Sequence, residues 1–443
     1  MAAYITRTTA TSFTSQQKFT ASMWVKGDTP PAADVYWWSI GSSGAHITIY
    51  AASNGKLNVI GAGPSAAWYQ YSNISLRDPA AWYHVVISVD TTQSVANDRI
   101  KLYINGTLYA DDSYWASRSY PAEDDELTGL VSGKIQYIGS NYGASGEEWE
   151  GLMSHVHYCD GYNYAASDFG ETDSTSGIWK IKTSPSVTYG NNGYFLKMED
   201  RTNLDLDSGT NAFTFTTTGT LTATYDNPSN NFATYNALQN VPSTTLSNGN
   251  TTIVNDSSAF IRPMLSTLGA SSGKFYVEFK AVTASSASRI GICAMDKFVL
   301  TEYTGVNALS YGYIADGTVA NNNSTTISGL SSYTSGDIIG VYIDLDNNFL
   351  YFAKNGVLEN SGVPTSGATG TGGQAITANN TYGFHITVAN SGSYKTSVNF
   401  GNGYFGTTAV SSANADDAGI GAMEYDVPAG YYCLCTKNIK AYG

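Results

Sequence analysis

The sequence GDIIGVYIDLDNNFLYFAKNGVL, from Gly336 to Leu358, predicts the fold class of this chain. Two apolar-rich runs of strand length flank a polar turn at 346–348, and a second turn follows at Asn355-Gly356. An Asn-Gly pair tolerates the positive φ angles that a tight type I′ hairpin requires. The stretch therefore predicts a meander of three antiparallel strands.

The same pattern recurs upstream in DRIKLYINGTLY, from Asp98 to Tyr109, where an alternating strand again leads into Asn-Gly and a return strand. The chain has 443 residues, more than one hydrophobic core usually serves. Its 33 Tyr and 45 Gly, with only 13% charged residues, are typical of strands and tight turns. We therefore expect an all-β protein with two antiparallel β-sandwich, jelly-roll-like domains joined by a β-containing connector.

The charge of the chain argues against one class of partner. The formal net charge is −14, and the 22 Lys and Arg residues form no basic run. Phosphate binding needs a concentrated basic surface, so we expect no nucleic-acid partner. Because no apolar segment is long enough to span a bilayer and residues 1–20 contain no apolar signal core, we expect neither membrane insertion nor export by a cleaved signal peptide.

Residues 1–165 are predicted to form the first sandwich. Phe19 to Val25 alternates with period two, as a strand with one buried face does. Further strands separated by turn signals are predicted at Val35–Ile40, His46–Ala51, Lys56–Ile60, Trp82–Asp90, Arg99–Ile104, Lys134–Ile138 and Leu152–Tyr158. The phrases FTASMWVKGD, AWYHVVISVD, IKLYINGTLY, IQYIGS and WEGLMSHVHYCDG, in this order, resemble the laminin G or concanavalin A-like jelly-roll family.

Residues 166–232 are predicted to form an ordered connector. Turn residues interrupt short β runs at Gly193–Met198 and Phe213–Thr217, which is unlike a flexible linker. The phrases DFGETD, NGYFLKMED and DNPSNNFATYNAL resemble a segment that recurs in virion proteins of marine tailed phages. That resemblance implies a protein of the phage particle.

Residues 233–443 are predicted to form the second sandwich. The order SGKFYVEFKAV, RIGICAM, SYGYIADG, GDIIGVYIDLDNNFLYFAKNG and SVNFGNGYF is similar to the SPRY (B30.2-like) family, with Phe275 where that family has a tryptophan. The closing GYYCLCTKNIKAYG reads as a terminal strand with Tyr432, Leu434 and Thr436 on one face, or as a segment exchanged between subunits.

Two patterns suggest catalysis only weakly. Gly269 to Gly273 satisfies G-x-S-x-G, but that motif needs a following helix to present Ser271, and the sequence continues here as a strand. Glu148 and Glu150 would share one strand face, and retaining glycosidases use two carboxyls about 5 Å apart. Because these residues adjoin a Gly-rich loop, we expect a solvated loop and no enzymatic activity.

No metal site is predicted, although calcium stays open. His155 and His157 share a strand face at spacing i, i+2, but no third ligand is spaced to join them. The acidic clusters Asp111-Asp112 and 123–126 could bind calcium, as laminin G relatives do at a sandwich rim, or solubilise a loop. Four irregularly spaced cysteines, Cys159, Cys293, Cys433 and Cys435, are expected to be buried free thiols.

Aromatic residues beside short polar ones are the remaining candidates for a ligand site. Flat rings next to Asn, Ser and Asp favour either a saccharide platform or a protein interface. One ring of each adjacent pair on a strand should face inward, so about half of the rings belong to the core. The candidate ligand-binding residues are Trp37, Trp38, Trp68, Tyr69, Tyr71, Tyr114 and Trp115.

The resemblances imply a binding protein at the surface of a phage particle. The leading hypothesis is a tail-appendage or receptor-binding component that recognises host surface glycans. The alternatives are a capsid-decorating or head-fibre structural protein and a polysaccharide depolymerase that uses Glu148 or Glu150. Other virion proteins and copies of the chain itself are the expected protein partners. No heptad, collagen-like or β-helical repeat is present to form a fibre shaft.

Overall fold

The computed structural model describes residues 3–27, 33–64, 66–143, 147–239, 241, 244–255, 262–388 and 394–443. The chain divides into two compact units, Met1–Ala223 and Thr224–Gly443. The predicted all-β class is confirmed, because antiparallel sheets build both units. The boundaries differ from those predicted: the expected connector at 166–232 is no separate body, since most of it belongs to the first unit and its end to the second.

The strands described in the first unit are β1 (Tyr4–Thr8), β2 (Lys18–Lys26), β3 (Val35–Ser42), β4 (Ala45–Ala51), β5 (Lys56–Ala62), β6 (Ala67–Ser75), β7 (Trp82–Asp90), β8 (Ile100–Ile104), β9 (Thr107–Leu108), β10 (Trp115–Ser119), β11 (Ile135–Ile138), β12 (Leu152–Asp160), β13 (Gly170–Thr172), β14 (Trp179–Ile181), β15 (Tyr194–Leu196) and β16 (Thr216–Thr218). Short 3-10 helices lie at Ala96–Asp98, Asp112–Tyr114 and Ala166–Asp168.

Two sheets form the sandwich of the first unit. Sheet 1 has the order β10-β6-β5-β4-β3-β11-β1-β16, and sheet 2 has the order β15-β12-β2-β7-β8-β9. Alternate residues of each strand enter one shared core, as the period-two pattern predicts. Phe19 of sheet 2 thus stacks on Trp38 of sheet 1 with ring centroids 6.0 Å apart.

A third layer covers the outer face of sheet 2. It comes from residues 162–189, most of them within the predicted connector, whose aromatic rings pack on Val86 and Cys159. The Trp179 indole Nε1 donates to His84 Nδ1 at 3.0 Å, which anchors the layer to β7. This packing explains why the segment belongs to the first unit.

The elements described in the second unit are β17 (Thr244–Ser247), β18 (Thr252–Asn255), β19 (Arg262–Ala270), β20 (Lys274–Thr283), β21 (Arg289–Ala294), β22 (Ser310–Ile314), β23 (Thr318–Asn321), β24 (Ser324–Ile327), β25 (Ile338–Asp344), β26 (Phe349–Lys354), β27 (Val357–Leu358), β28 (Gln374–Ala375), β29 (Tyr382–Val388), β30 (Tyr394–Asn399), β31 (Tyr404–Phe405), β32 (Thr408–Ala409) and the helix α1 (Thr436–Tyr442). Short 3-10 helices lie at Ala237–Gln239, Met295–Lys297 and Pro364–Thr369.

The second unit is again a sandwich of two sheets. Sheet 3 has the order β17-β18-β30-β20-β25-β26-β27, with β28 beside β26, and sheet 4 has the order β19-β29-β21-β22-β23-β24. The meander predicted from Gly336 to Leu358 is confirmed as β25, β26 and β27. Asn355 and Gly356 have φ angles of 50° and 79° at its second turn, as a type I′ hairpin requires.

The closing sequence is not a strand, contrary to one of the two readings of its pattern. Residues 436–442 form α1, and Tyr432 makes only an isolated bridge to Phe275. The physical reason is local. Cys433 N donates to Asp416 Oδ2 at 2.9 Å and is therefore not available to a neighbouring strand, and Asn438 Nδ2 donates to the same oxygen at 2.6 Å. The expectation of buried free thiols is confirmed for all four cysteines.

Candidate functional site

Four of the seven predicted ligand-binding rings lie in the core. Trp37, Trp38, Trp68 and Trp115 are 1%, 0%, 0% and 8% exposed. At Trp37-Trp38 the expectation that one ring of an adjacent pair faces outward is wrong. The register pairs Tyr36 with Tyr50 and Trp38 with Ile49, so Trp37 is the extra residue of a β-bulge. A bulge breaks the alternation of faces and allows both neighbours to be buried.

The other two tryptophans are held by close contacts. Trp68 lies flat on Gly61, where an added Cβ would stand 2.2 Å from its ring. Trp115 lies under the Arg118 guanidinium, whose carbon is 4.2 Å from the ring centroid. A sugar cannot stack on these buried rings, so the structure removes all four tryptophans from the predicted platform.

The exposed aromatic surface of the first unit is a row of tyrosines on the outer face of sheet 1. Strand register places Tyr36 beside Tyr50, Tyr50 beside Asn58, and Asn58 beside Tyr71. The row crosses the four neighbouring strands β3 to β6, a span of roughly 14 Å at normal strand spacing. Tyr69 stands two residues before Tyr71 on the same face of β6. These five residues are called the tyrosine row.

Stacking pairs the rings of the tyrosine row face to face. The rings of Tyr36 and Tyr50 are 4.9 Å apart at an interplanar angle of 17°, and those of Tyr69 and Tyr71 are 4.7 Å apart at 18°. Tyr36 and Tyr50 are buried and form a floor, whereas Tyr71 is 37% exposed. The accessible rings of the site are thus those on β6, beside a buried aromatic floor on β3 and β4.

Hydrogen bonds and burial fix the chemistry of the row. Asn58 Oδ1 accepts from Ser72 N at 3.1 Å, which orients its amide beside Tyr50. Burial raises the pKa of Tyr36, and the nearby Glu147 carboxylate raises it further. Burial also raises the pKa of Tyr50, to about 12. Both phenols therefore stay protonated at neutral pH, and these two buried residues form an uncharged floor beside the rings on β6.

The remaining predicted residue, Tyr114, lies apart from this stack. It is 42% exposed and packs edge-on against Tyr109, with ring centroids 4.8 Å apart. Sequence reasoning found Tyr69 and Tyr71 but missed Tyr36, Tyr50 and Asn58. No local signal marks these three residues, because they join Tyr69 and Tyr71 only through the register of four strands.

The outer faces of the other three large sheets are packed against the chain itself. Residues 162–189 lie on sheet 2, and residues 420–435 lie on sheet 3. On sheet 4, Thr304 N donates to Thr387 Oγ1 at 2.8 Å, and the ring of Phe298 meets His385 edge-on at 5.4 Å. The tyrosine row thus differs from these faces in keeping accessible rings on β6.

The weak catalytic patterns stay weak in the structure. Ser271 lies in the turn between β19 and β20, without the following helix that a nucleophile elbow requires. Glu148 makes an isolated bridge to Tyr36 and Glu150 is exposed, and neither lies on a strand. The prediction that these two carboxylates share a strand face is therefore wrong.

His155 and His157 are buried among aromatic residues. The His157 ring stacks on Phe195 at 3.8 Å, and its Nδ1 is 3.0 Å from Tyr189 Oη. His155 Nε2 lies 3.4 Å from Glu199 Oε1. Burial lowers the pKa of both imidazoles. Among the described residues, no group of three or more His, Cys, Asp or Glu side chains is arranged to hold a metal ion.

The carboxylates of the acidic clusters form hydrogen bonds and an ion pair with groups nearby in the sequence. Asp111 Oδ1 accepts from Ser113 N at 2.8 Å, and Asp112 pairs with Arg118 at 2.8 Å. Asp125 is buried and accepts from Ala122 N at 3.0 Å. Calcium at these loops stays an open alternative. In the described part of the chain, no helix is long and apolar enough to cross a membrane.

Comparisons with known proteins agree with the two sandwiches. A family model described as the concanavalin A-like lectin/glucanases superfamily matches residues 2–167, and the SPRY domain model matches residues 274–388. Both resemblances found in the sequence motifs are confirmed by these models. No curated protein matches the chain.

Solved structures are similar to parts of the chain. The SPRY domain of human HERC1 is 18% identical, with 35% of this chain and 91% of that chain covered and a TM-score of 0.29. The native heptameric SAP-like pentraxin from Limulus polyphemus is also 18% identical, with 36% of this chain and 69% of that chain covered and a TM-score of 0.26.

Proposed function

We propose that this protein is a non-enzymatic surface component of a tailed-phage particle and that its tyrosine row binds glycans on the host surface. The observation that carries the proposal is the stacked, uncharged row from Tyr36 to Tyr71 on the outer face of sheet 1. The virion setting is supported by the phrases DFGETD, NGYFLKMED and DNPSNNFATYNAL. The protein partners in this setting are other virion proteins and further copies of the chain.

The chemistry of the row suits a saccharide. Ring faces pack against the apolar face of a pyranose, and phenol and amide groups beside them hydrogen-bond its hydroxyls. Tyr69 and Tyr71 supply the rings, and the buried Asn58, held by Ser72 N, supports them from the neighbouring strand β5. The net charge of −14 works against adsorption to polyanions, so recognition rests on stacking and hydrogen bonds.

Replacing Tyr71 by alanine is expected to weaken binding to host polysaccharide roughly tenfold, because one stacking partner is worth about 1.4 kcal/mol. The measurement is calorimetric titration of the purified full chain with polysaccharide extracted from host cells. Tyr4→Ala is the matched control, because Tyr4 lies on β1, near the edge of sheet 1 opposite to β6, with its ring centroid 6.3 Å from that of Tyr137. The control should bind as the unchanged chain does.

Three results would count against the proposal. One is the absence of adsorption to host cells at micromolar concentration. Another is release of reducing sugars that Glu148→Gln with Glu150→Gln abolishes, which would make the protein a depolymerase. The third is gold-labelled antibody found across the phage head, which would favour the capsid-decorating alternative. Label at the tail supports host attachment.

A further inference from the structure

A second row of tyrosines lies on the outer face of sheet 3. Register places Tyr276 beside Tyr342 and Tyr342 beside Tyr351, on the neighbouring strands β20, β25 and β26. The rings of Tyr276 and Tyr342 stack with centroids 4.3 Å apart and an interplanar angle of 22°. This second row has the construction of the first, but its rings are at most 3% exposed.

The cover of the second row is the carboxyl-terminal segment, residues 414–443, called here the strap. Met423, Tyr431 and Cys433 of the strap are fully buried against the tyrosines. The ring of Tyr431 meets Tyr342 edge-on with centroids 5.8 Å apart. The strap lies outside the region that matches the SPRY domain.

One buried carboxylate makes the strap a self-contained piece. Asp416 Oδ1 accepts from Ala418 N and Ile420 N at 2.9 and 2.8 Å. Its Oδ2 accepts from Cys433 N and Asn438 Nδ2 at 2.9 and 2.6 Å. All four donors belong to the strap, so this carboxylate ties both ends of the segment together without help from the sheets.

A second buried carboxylate holds the strap to the sheet. Glu278 on β20 accepts from Glu424 N and Tyr425 N of the strap at 2.8 and 2.9 Å. Its other hydrogen bonds come from Tyr276 Oη at 2.9 Å and Asn399 Nδ2 at 3.1 Å on the sheet. The four donors occupy both oxygens, so a Gln side chain in this position would turn an amide N–H against a donor.

The remaining attachment is discontinuous. The strap joins the rest of the second unit through isolated bridges, such as Phe275 with Tyr432 and Phe232 with Cys435, and not through a strand ladder. An exposed hinge, residues 411–413, precedes it, and Ala413 has a φ of 46°, in the left-handed region that alanine rarely adopts. The strap also places Leu434 in the core of the second unit, so an exchanged strap would carry this side chain with it. A segment with an exposed hinge and no strand ladder to the sheets is suited to exchange between identical chains.

We propose that the strap is exchangeable: the strap of one copy closes the second tyrosine row of another copy and so links two chains. The groups that hold the strap, Glu278 and the tyrosines of sheet 3, would meet the same residues in an identical strap. The occupant of the second row is therefore a strap of this chain, whether its own or a partner's.

The test uses the full chain with a protease recognition sequence placed in the hinge. After cleavage, a fluorescent synthetic peptide of residues 414–443 is added, and its uptake is followed by anisotropy. We expect one labelled strap to replace the native strap in each chain, with the near-ultraviolet circular dichroism retained. Glu278→Gln should weaken retention of the peptide roughly tenfold. Asp426→Asn in the peptide, at an exposed strap position, is the control and should leave retention unchanged.

Three outcomes overturn the proposal. If no labelled peptide enters, the strap is a fixed part of the fold. If the circular dichroism is lost as the native strap leaves, the strap and sheets unfold as one body.

Linkage is tested separately by mixing two differently tagged uncleaved chains at high concentration. Mixed pairs that co-purify support exchange between copies, and their absence overturns it.

Discussion

Replacing Trp38 by alanine is expected to lower the free energy of unfolding of the first unit by about 3–5 kcal/mol, which is the usual cost of removing a large buried aromatic side chain. Trp38 is 0% exposed and stacks on Tyr158 with centroids 5.2 Å apart. Its Nε1 donates to Tyr194 Oη at 2.8 Å, so the change also removes a buried hydrogen-bond partner.

Tryptophan fluorescence measures this effect on the first unit alone. All eight tryptophans lie at or before Trp179, so fluorescence during urea unfolding does not report on the second unit. Trp38→Phe keeps a ring and should cost less, and Tyr114→Ala at an exposed position should change stability by under about 0.5 kcal/mol. A loss below about 1 kcal/mol for Trp38→Ala would contradict the placement of this ring at the centre of the core.

The main features of the fold were readable from the sequence because they depend on local chemistry. Alternation with period two marks strands, and Asn-Gly marks hairpins, since few other pairs adopt two consecutive positive φ angles. The meander from Gly336 to Leu358 is therefore found where the pattern predicts it. The bulge at Trp37 was not readable, because it depends on how β4 pairs with β3.

The candidate site could be predicted only in part, because strand register is not a local property of the sequence. Tyr69 and Tyr71 are two apart on one strand, so their shared face follows from the sequence. Tyr36 and Asn58 join them only through the register of four strands, which nothing local specifies. Sequence patterns also do not say which sheet face another segment will cover, so the packing of residues 162–189 on sheet 2 could not be predicted.

Lowering the pH from 7 to 5 is expected to destabilise the first unit by about 4 kcal/mol or more. Burial lowers the pKa of His84 to about 3 and that of His155 to about 4, from an ordinary value of 6.5. Below pH 6.5 the unfolded chain binds protons that the folded unit excludes, so the stability of the first unit decreases as the pH is lowered. Each histidine then costs about 2 kcal/mol between pH 6.5 and 5.

The second unit should respond differently, because two of its groups oppose each other. Burial lowers the pKa of His385 to about 3, which again costs about 2 kcal/mol between pH 6.5 and 5. Burial raises the pKa of Glu278 from 4.5 to about 7, although its four hydrogen-bond donors counteract the rise. The folded unit therefore binds a proton that the unfolded chain does not bind, and stability increases as pH falls across the same window.

The two effects nearly cancel, so the second unit should change by less than about 1 kcal/mol between pH 6.5 and 5. Urea unfolding at several pH values checks this, with tryptophan fluorescence for the first unit and far-ultraviolet circular dichroism for the whole chain. Glu278→Gln removes the opposing group, so in that variant the second unit should lose about 2 kcal/mol on acidification. In this variant no group offsets the cost of keeping His385 neutral. If the stability of the second unit still does not change with pH, burial does not keep His385 neutral.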